Sequence, residues 1–273
     1  MISSNFSLLM SVYKNDNPGF LRMALNSVYN QSICPKEIIL VQDGPIPLSL
    51  SKVINDFAFK NRNIISLIFP VNHGLGYALR KGSQYVSTEW LARMDADDIN
   101  LPNRFELQIN YLKKHPETVL LGGQICEFKN DYCKILSRRL VPVDSKQISE
   151  FIKWRNPFNH VTVMIKVKAI REAGNYQNIG GFEDYDLWNR MIVRGYAFHN
   201  LPDDLVLVRV GDGMYERRGG IKYFQRYIKL KSNSKKLGII NRKEKIISDT
   251  IMMFNIIIPK KMRAFLYNRI LRH

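Results

Sequence analysis

The 273-residue chain is poor in cysteine, lacks long apolar runs and is short of acidic charge. Its three cysteines, Cys34, Cys126 and Cys133, form no C-x-x-C pair and no zinc spacing. That excludes a disulfide scaffold and a structural zinc site, and it fits reduced thiols in a cytosolic protein. No apolar run approaches the roughly 20 residues of a membrane span. The longest, Ile246 to Ile258, is interrupted by Asp249 and Asn255, and the first residues carry no basic region of the signal-peptide kind. Against 41 Lys and Arg stand only 24 Asp and Glu. The excess is concentrated: Met214 to His273 holds 16 basic and 3 acidic residues, which is +13 of the net +17. A nearly balanced body with a basic tail implies an anionic partner such as a phospholipid surface, a nucleic acid or a lipid-linked phosphate.

What is present is 45% hydrophobic content, enough for one substantial core and an appendage. The first hundred residues alternate in type. Strand-like runs at Phe6 to Tyr13, Glu37 to Gln42, Ile64 to Phe69 and Trp90 to Met94 are separated by helical spacing at Gly19 to Asn30, Ser49 to Phe59 and Gly74 to Tyr85. Pro102 then opens a helix to His115, where its missing N–H costs nothing. This β-α-β order predicts an α/β fold with a mostly parallel sheet and helices on both faces. Ligands of such sheets bind beyond the carboxyl ends of the strands. Those ends carry Ser11-Val12-Tyr13, Asp43-Gly44, Asn72-His73-Gly74 and Asp95-Ala96-Asp97, so all four gather along one edge. The second half is less regular, with strands expected at Val119 to Phe128, Ile135 to Val141, Val161 to Val167 and Ala197 to Val210. A helix is expected from Phe182 to Arg194, and helices again after Gly220.

The acidic cluster is the sharpest signal. Asp95, Asp97 and Asp98 fall within four positions after an apolar run. Crowded carboxylates resist ionising together unless a cation sits among them. In an extended segment Asp95 and Asp97 point the same way, and oxygen ligands suit Mg²⁺ or Mn²⁺. An isolated D-x-D is more often a solvated acidic loop; here the company it keeps favours the metal.

Taken as a set, Ser11-Val12-Tyr13, Val41-Gln42-Asp43-Gly44, Asn72-x-Gly74, Ala92-Arg93-Met94-Asp95-Ala96-Asp97-Asp98 and Glu183-Asp184-Tyr185-Asp186-Leu187-Trp188 resemble family 2 glycosyltransferases of the GT-A fold. The likeness runs from about Ser7 to Gly220 and is nearest to the enzymes of amylovoran, capsule and O-antigen synthesis. It extends to the tail, through Pro259 to Arg263 and Tyr267 to Arg272. It implies a GT-A catalytic domain over 1–213, with a nucleotide-binding half of about 1–100 and an acceptor half of about 101–213, and a basic amphipathic helical tail over 214–273. The implied activity is inverting, metal-dependent transfer from a nucleotide-sugar, a UDP-hexose, to a lipid-linked oligosaccharide. Ser11, Val12, Tyr13 and Asp43 would hold the nucleoside, with Asn72, Arg80, Arg93 and Asp95 completing the nucleotide site. Asp97, with Asp95, would ligate Mn²⁺ or Mg²⁺. Asp184 would be the catalytic base. Gly181, Glu183, Trp188 and His160 would serve the acceptor and sugar. Arg217 and Arg218, in a glycine-flanked loop, would clamp the diphosphate or stand as solvated charge. Two departures stand out: position 80 is Arg where the family often has Asn, and the Gln-x-x-Arg-Trp motif of processive synthases is absent. The second argues for one sugar per encounter.

The chemistry needs these residue types. A leaving diphosphate gathers charge that a divalent cation can neutralise, and the attacking hydroxyl must give up a proton to a placed carboxylate. In the tail, Tyr223, Phe224, Tyr227, Ile228 and Leu230, then Ile246, Ile247, Ile251, Met252 and Phe254, interleave with Lys and Arg. That pattern suits helices in an anionic membrane interface, placing the protein in the cytoplasm, peripherally on the inner membrane; packing against the catalytic domain is the rival reading. Two other functions compete. A sugar-phosphate nucleotidyltransferase would want a Gly-rich basic loop after the first strand, of which Lys14 to Gly19 is a poor version. A basic nucleic-acid-binding protein would leave four carboxylates unexplained along a cleft that repels phosphate, so no nucleic-acid partner is expected.

Overall fold

The computed structural model describes residues 5–211 and 219–257. Strand β1 (Phe6–Val12) is followed by α1 (Pro18–Tyr29), β2 (Glu37–Gln42), α2 (Leu48–Lys60), β3 (Ile64–Ile68), α3 (Leu75–Gly82) and β4 (Trp90–Arg93). These four strands pair in parallel in the order β3-β2-β1-β4. Alternation along each strand feeds two cores. Leu9, Ile39, Val41 and Leu91 face one side; Leu8, Met10, Ile38, Leu40 and Ala92 face the other. Helix α1 shows why the local sequence folds so. Asn17 caps it by accepting from the Gly19 and Phe20 N–H groups, Pro18 occupies the first turn, and Leu21, Ala24, Leu25 and Val28 make the buried stripe.

Beyond β4 the sheet becomes mixed. The chain runs through β5 (Ile99–Asn100), α4 (Arg104–Lys114), β6 (Thr118–Phe128), β7 (Ser137–Arg139) and α5 (Ser145–Phe151). It continues through a 3-10 turn (His160–Thr162), β8 (Met164–Lys166), α6 (Val167–Glu172), α7 (Glu183–Ile192) and β9 (Ala197–Arg209). The full order is β3-β2-β1-β4-β8-β6-β9-β5, with β7 on β6. β8 joins antiparallel to both β4 and β6, so one continuous sheet carries both halves. The strand expected over Val161 to Val167 therefore starts as a 3-10 turn and passes straight into α6.

The tail contributes α8 (Ile221–Lys236) and α9 (Arg242–Ile257). Tyr227 and Leu230 of α8 join the same buried core as Leu187, Trp188 and Met191 of α7. Packing on the body of the fold is therefore observed for α8. The residues Pro259 to Arg263 and Tyr267 to Arg272 lie outside the described residues.

Candidate active site

The carboxyl ends of the parallel strands build the cleft. Ser11 of β1 and Tyr13 just after it, Asp43 after β2, Asn72 and Gly74 after β3, and Asp95, Ala96 and Asp97 after β4 line a space of about 230 Å³ together with Asp16 and Leu75. Val12 is buried in the core and supplies a backbone carbonyl, which accepts from the Asp43 N–H at 2.8 Å.

Asp43 works as a latch. Its two carboxylate oxygens accept from the backbone N–H groups of His73 and Gly74, each at 2.8 Å. Asn72 Nδ2 donates to the Asp43 carbonyl at 2.9 Å. Gly44 has φ +88°, and a Cβ there would lie 2.7 Å from the Asn72 nitrogen, so only glycine lets these two loops touch.

In the acidic loop, ligand oxygens of Asp95, Asp97 and Asp98 lie within 4.8 Å of one another. Asp95 pairs with the buried Arg93 guanidinium. Asp98 is buried; its Oδ1 accepts from the Arg209 N–H at 2.9 Å, while its Oδ2 has no partner among the described residues. Arg209 also donates from Nε to the Asp97 carbonyl at 3.2 Å, and its guanidinium sits 3.7 and 4.5 Å from the ring centres of Phe20 and Phe128. Burial and the neighbouring Asp95 raise Asp97 to about 6. Burial, with Asp95 and Asp97 adding, raises Asp98 well above the usual carboxylate range. Asp16, whose Oδ2 accepts from the Tyr13 N–H at 2.9 Å, is raised to about 7, chiefly by burial and further by Asp97 and Asp95. Such a crowd of acids is relieved either by holding protons or by a cation. The all-oxygen donor set and the orphaned Asp98 oxygen fit a hard divalent ion, Mg²⁺ or Mn²⁺.

A second carboxylate centre stands at the start of α7. Asp184 Oδ2 accepts from Asn156 Nδ2 at 2.6 Å and Oδ1 from the Tyr185 N–H at 2.7 Å. Burial raises its pKa, opposed by these donors and by the charges of Arg93 and Arg139. Glu183, buried beside it, accepts the Gly181 N–H on both oxygens at 2.9 Å. Its pKa is also raised, mainly by burial. Arg93 thus lies in electrostatic reach of both centres.

The other expected site residues divide. Gly181 is exposed, next to Glu183. Trp188 is fully buried, packed on Phe158 and His160, and backs the site rather than lining it. His160 Nε2 lies 3.1 Å from the Tyr176 hydroxyl, and burial, with Arg93 adding, keeps the imidazole well below its ordinary pKa. Arg80 is exposed in the last turn of α3, donates to Gln177 Oε1 at 3.4 Å and is not among the residues lining the cleft. Arg217 and Arg218 lie outside the described residues. Sequence reasoning missed Asp16, Arg209 and Asn156. Asp16 was reachable: it follows a parallel strand at its ligand-binding end. Arg209 and Asn156 have no such local signal, since each acts on a residue far away in sequence.

Residues 7–174 match the sequence profile of glycosyl transferase family 2. Amylovoran biosynthesis glycosyltransferase AmsE of Erwinia amylovora is 37% identical over 270 residues, spanning 97% of this chain and 98% of that protein. A UDP-Gal:alpha-D-GlcNAc-diphosphoundecaprenol beta-1,3-galactosyltransferase of Escherichia coli is 32% identical over 268 residues, spanning 98% and 96%. In fold the chain is similar to the mannosyltransferase PcManGT from Pyrobaculum calidifontis, solved in complex with GDP-Man and Mn²⁺. That TM-score is 0.65 at 14% identity, over 96% of this chain and 80% of that one.

Proposed function

This chain belongs to glycosyl transferase family 2 and is a glycosyltransferase of the GT-A fold, and from that premise we propose that it transfers a sugar, with inversion, from a UDP-hexose to a hydroxyl of a lipid-linked oligosaccharide during surface polysaccharide synthesis. Family membership sets aside the nucleotidyltransferase and nucleic-acid-binding readings. The observation that carries the proposal is the pair of separate carboxylate centres, one at the strand ends and one at the start of α7. The names of the two relatives, one acting in amylovoran synthesis and one using UDP-Gal and a diphosphoundecaprenol acceptor, support the donor and acceptor classes.

In this reading Ser11, Tyr13 and Asp43 hold the nucleoside, Asp43 both directly and by fixing the 72–74 loop. Asp95 and Asp97 hold the cation, and Arg93 balances their charge from behind. A bound Mn²⁺ or Mg²⁺ supplies Lewis-acid neutralisation of the charge that grows on the diphosphate. Arg217 and Arg218 are assigned to the same phosphates. Asp184 accepts the proton of the acceptor hydroxyl as it attacks. Its raised pKa makes it a better base than an ordinary aspartate near neutral pH, and Asn156 with the Tyr185 N–H keeps its oxygens aimed. Inversion follows when this carboxylate works on the face opposite the leaving group. Gly181 and Glu183 border the acceptor side.

The test is turnover from a panel of UDP-sugars with Mn²⁺ and with EDTA. One UDP-sugar is expected to turn over with metal, and to fail with EDTA or in Asp97→Ala. A wild-type protein that neither turns over nor binds any UDP compound would overturn the UDP-sugar reading.

A further inference from the structure

Helix α8 lies along α7 and holds it at several points. Arg226 Nη1 donates to the Gly180 carbonyl at 3.2 Å, just ahead of α7. The Phe182 ring packs on Tyr223 and Tyr227, with centres 4.9 and 5.8 Å apart. Asn189 Nδ2 donates to Ser234 Oγ at 2.9 Å. Between these contacts stands Lys231, fully buried.

A buried ammonium is costly unless its donors are used, and an apolar residue would serve mere packing. Lys231 Nζ donates to the Tyr185 hydroxyl at 2.9 Å and to the Lys153 carbonyl at 2.7 Å. The Tyr185 hydroxyl in turn donates to the Ile152 carbonyl at 2.5 Å. The ammonium therefore grips two segments at once, the loop after α5 and the first turn of α7. Those same segments meet at Asp184: Asn156 reaches it from the loop, and the Tyr185 N–H reaches it from the helix. Lys231, Lys153, Asn156, Asp184 and Tyr185 close a ring whose links are hydrogen bonds or the chain itself.

We infer that Lys231, a residue of the C-terminal helix, is a positioning residue for Asp184, fixing the spacing between the Asn156 loop and α7 and hence the aim of the carboxylate. This rests on the reading of Asp184 as the base. The tail is then part of the catalytic apparatus and not an attachment to it.

The experiment uses the full chain carrying Lys231→Met, which keeps the length and apolar body of the side chain. With the UDP-sugar and Mn²⁺ that support wild-type turnover, kcat is expected to fall about tenfold, since small misplacements of a reacting group cost this much or more. KM for the donor is expected to stay within about twofold, because the strand-end cleft is untouched. Amide hydrogen exchange at Asn156 and Tyr185 is expected to quicken. Tyr185→Phe, which removes the hydroxyl that Lys231 grips, should give the same split, and the double variant should be no worse than the poorer single one. A folded Lys231→Met with wild-type kcat overturns the inference. If that variant does not fold, Tyr185→Phe decides on the same readouts. If the wild type turns over no sugar nucleotide, the functional reading is what has failed, and exchange decides the positioning: unchanged protection at Asn156 and Tyr185 overturns it, faster exchange supports it.

Discussion

Asp16 lines the cleft with the acidic loop, and its carboxylate accepts a hydrogen bond from the Tyr13 N–H. Its pKa near 7, against an ordinary 3.8, means that the folded chain holds this proton more tightly than the unfolded chain does. The stability it contributes is full below about pH 4 and is lost as pH rises to about 7. Asp97, raised to about 6, acts with the same sign over a narrower window. Metal-free protein is therefore expected to show a falling unfolding temperature between about pH 4 and pH 7, with a shallower fall in Asp16→Asn. Thermal unfolding at fixed ionic strength with EDTA checks this, and equal slopes in the two proteins would refute it. Mn²⁺ should flatten the wild-type slope by supplying the missing positive charge. At the second centre, Asp184→Asn keeps the shape but loses the basic oxygen. It is expected to lower kcat by about 10²- to 10⁴-fold while UDP binding, followed by calorimetry, is kept.

Helix α3 is where the two centres are tied together. A Cβ at Gly76 would lie 2.5 Å from Glu183 Cγ and 3.0 Å from the Gln177 carbonyl oxygen, so the nucleotide half touches the start of α7 only because position 76 has no side chain. Gly76→Val is expected to lower stability by about 1–3 kcal/mol through overpacking and to reduce kcat by shifting Glu183 and its neighbour Asp184. Urea unfolding and initial rates measure the two effects separately. Elements with a strong apolar signal were legible from the sequence: β1, β2 and β4 bury side chains on both faces and so read as apolar runs, and α1 shows a full apolar stripe. Those without one were not. In α5 only Ile148 is buried, so no stripe announces it, and β5 is two residues held by its pairing with Val206 and Leu207. The same division holds for the site. The strand-end residues of the cleft could be read from topology, whereas Arg209 meets Asp98 only because β9 returns beside the acidic loop.

Across the whole molecule, the excess basic charge is gathered toward the tail, and α9 adds an exposed apolar stretch of its own. Ile246, Ile247, Ile251 and Phe254 of α9 are 49–61% exposed, near the basic Arg242 and Lys243. Among the described residues no helix is long and apolar enough to cross a membrane; an apolar stretch beside basic residues is the pattern of a helix lying in an anionic interface, and that expectation can be tested. The protein is expected to sediment with vesicles containing phosphatidylglycerol and much less with neutral phosphatidylcholine. Added salt should weaken the binding, and Ile251→Asp with Phe254→Asp should remove most of it. Indifference to lipid charge would sink this reading and with it the peripheral placement on the cytoplasmic face. The docking of α8 on α7 has a temporal consequence. Arg209 and Lys231 come from the far end of the chain, yet one closes the acidic loop and the other braces the helix of Asp184. On the inference that Lys231 positions Asp184, a chain synthesised only through α7 lacks both the arginine that meets Asp98 and the lysine that grips Tyr185, so its acidic loop and its proposed base both wait for segments still to be made.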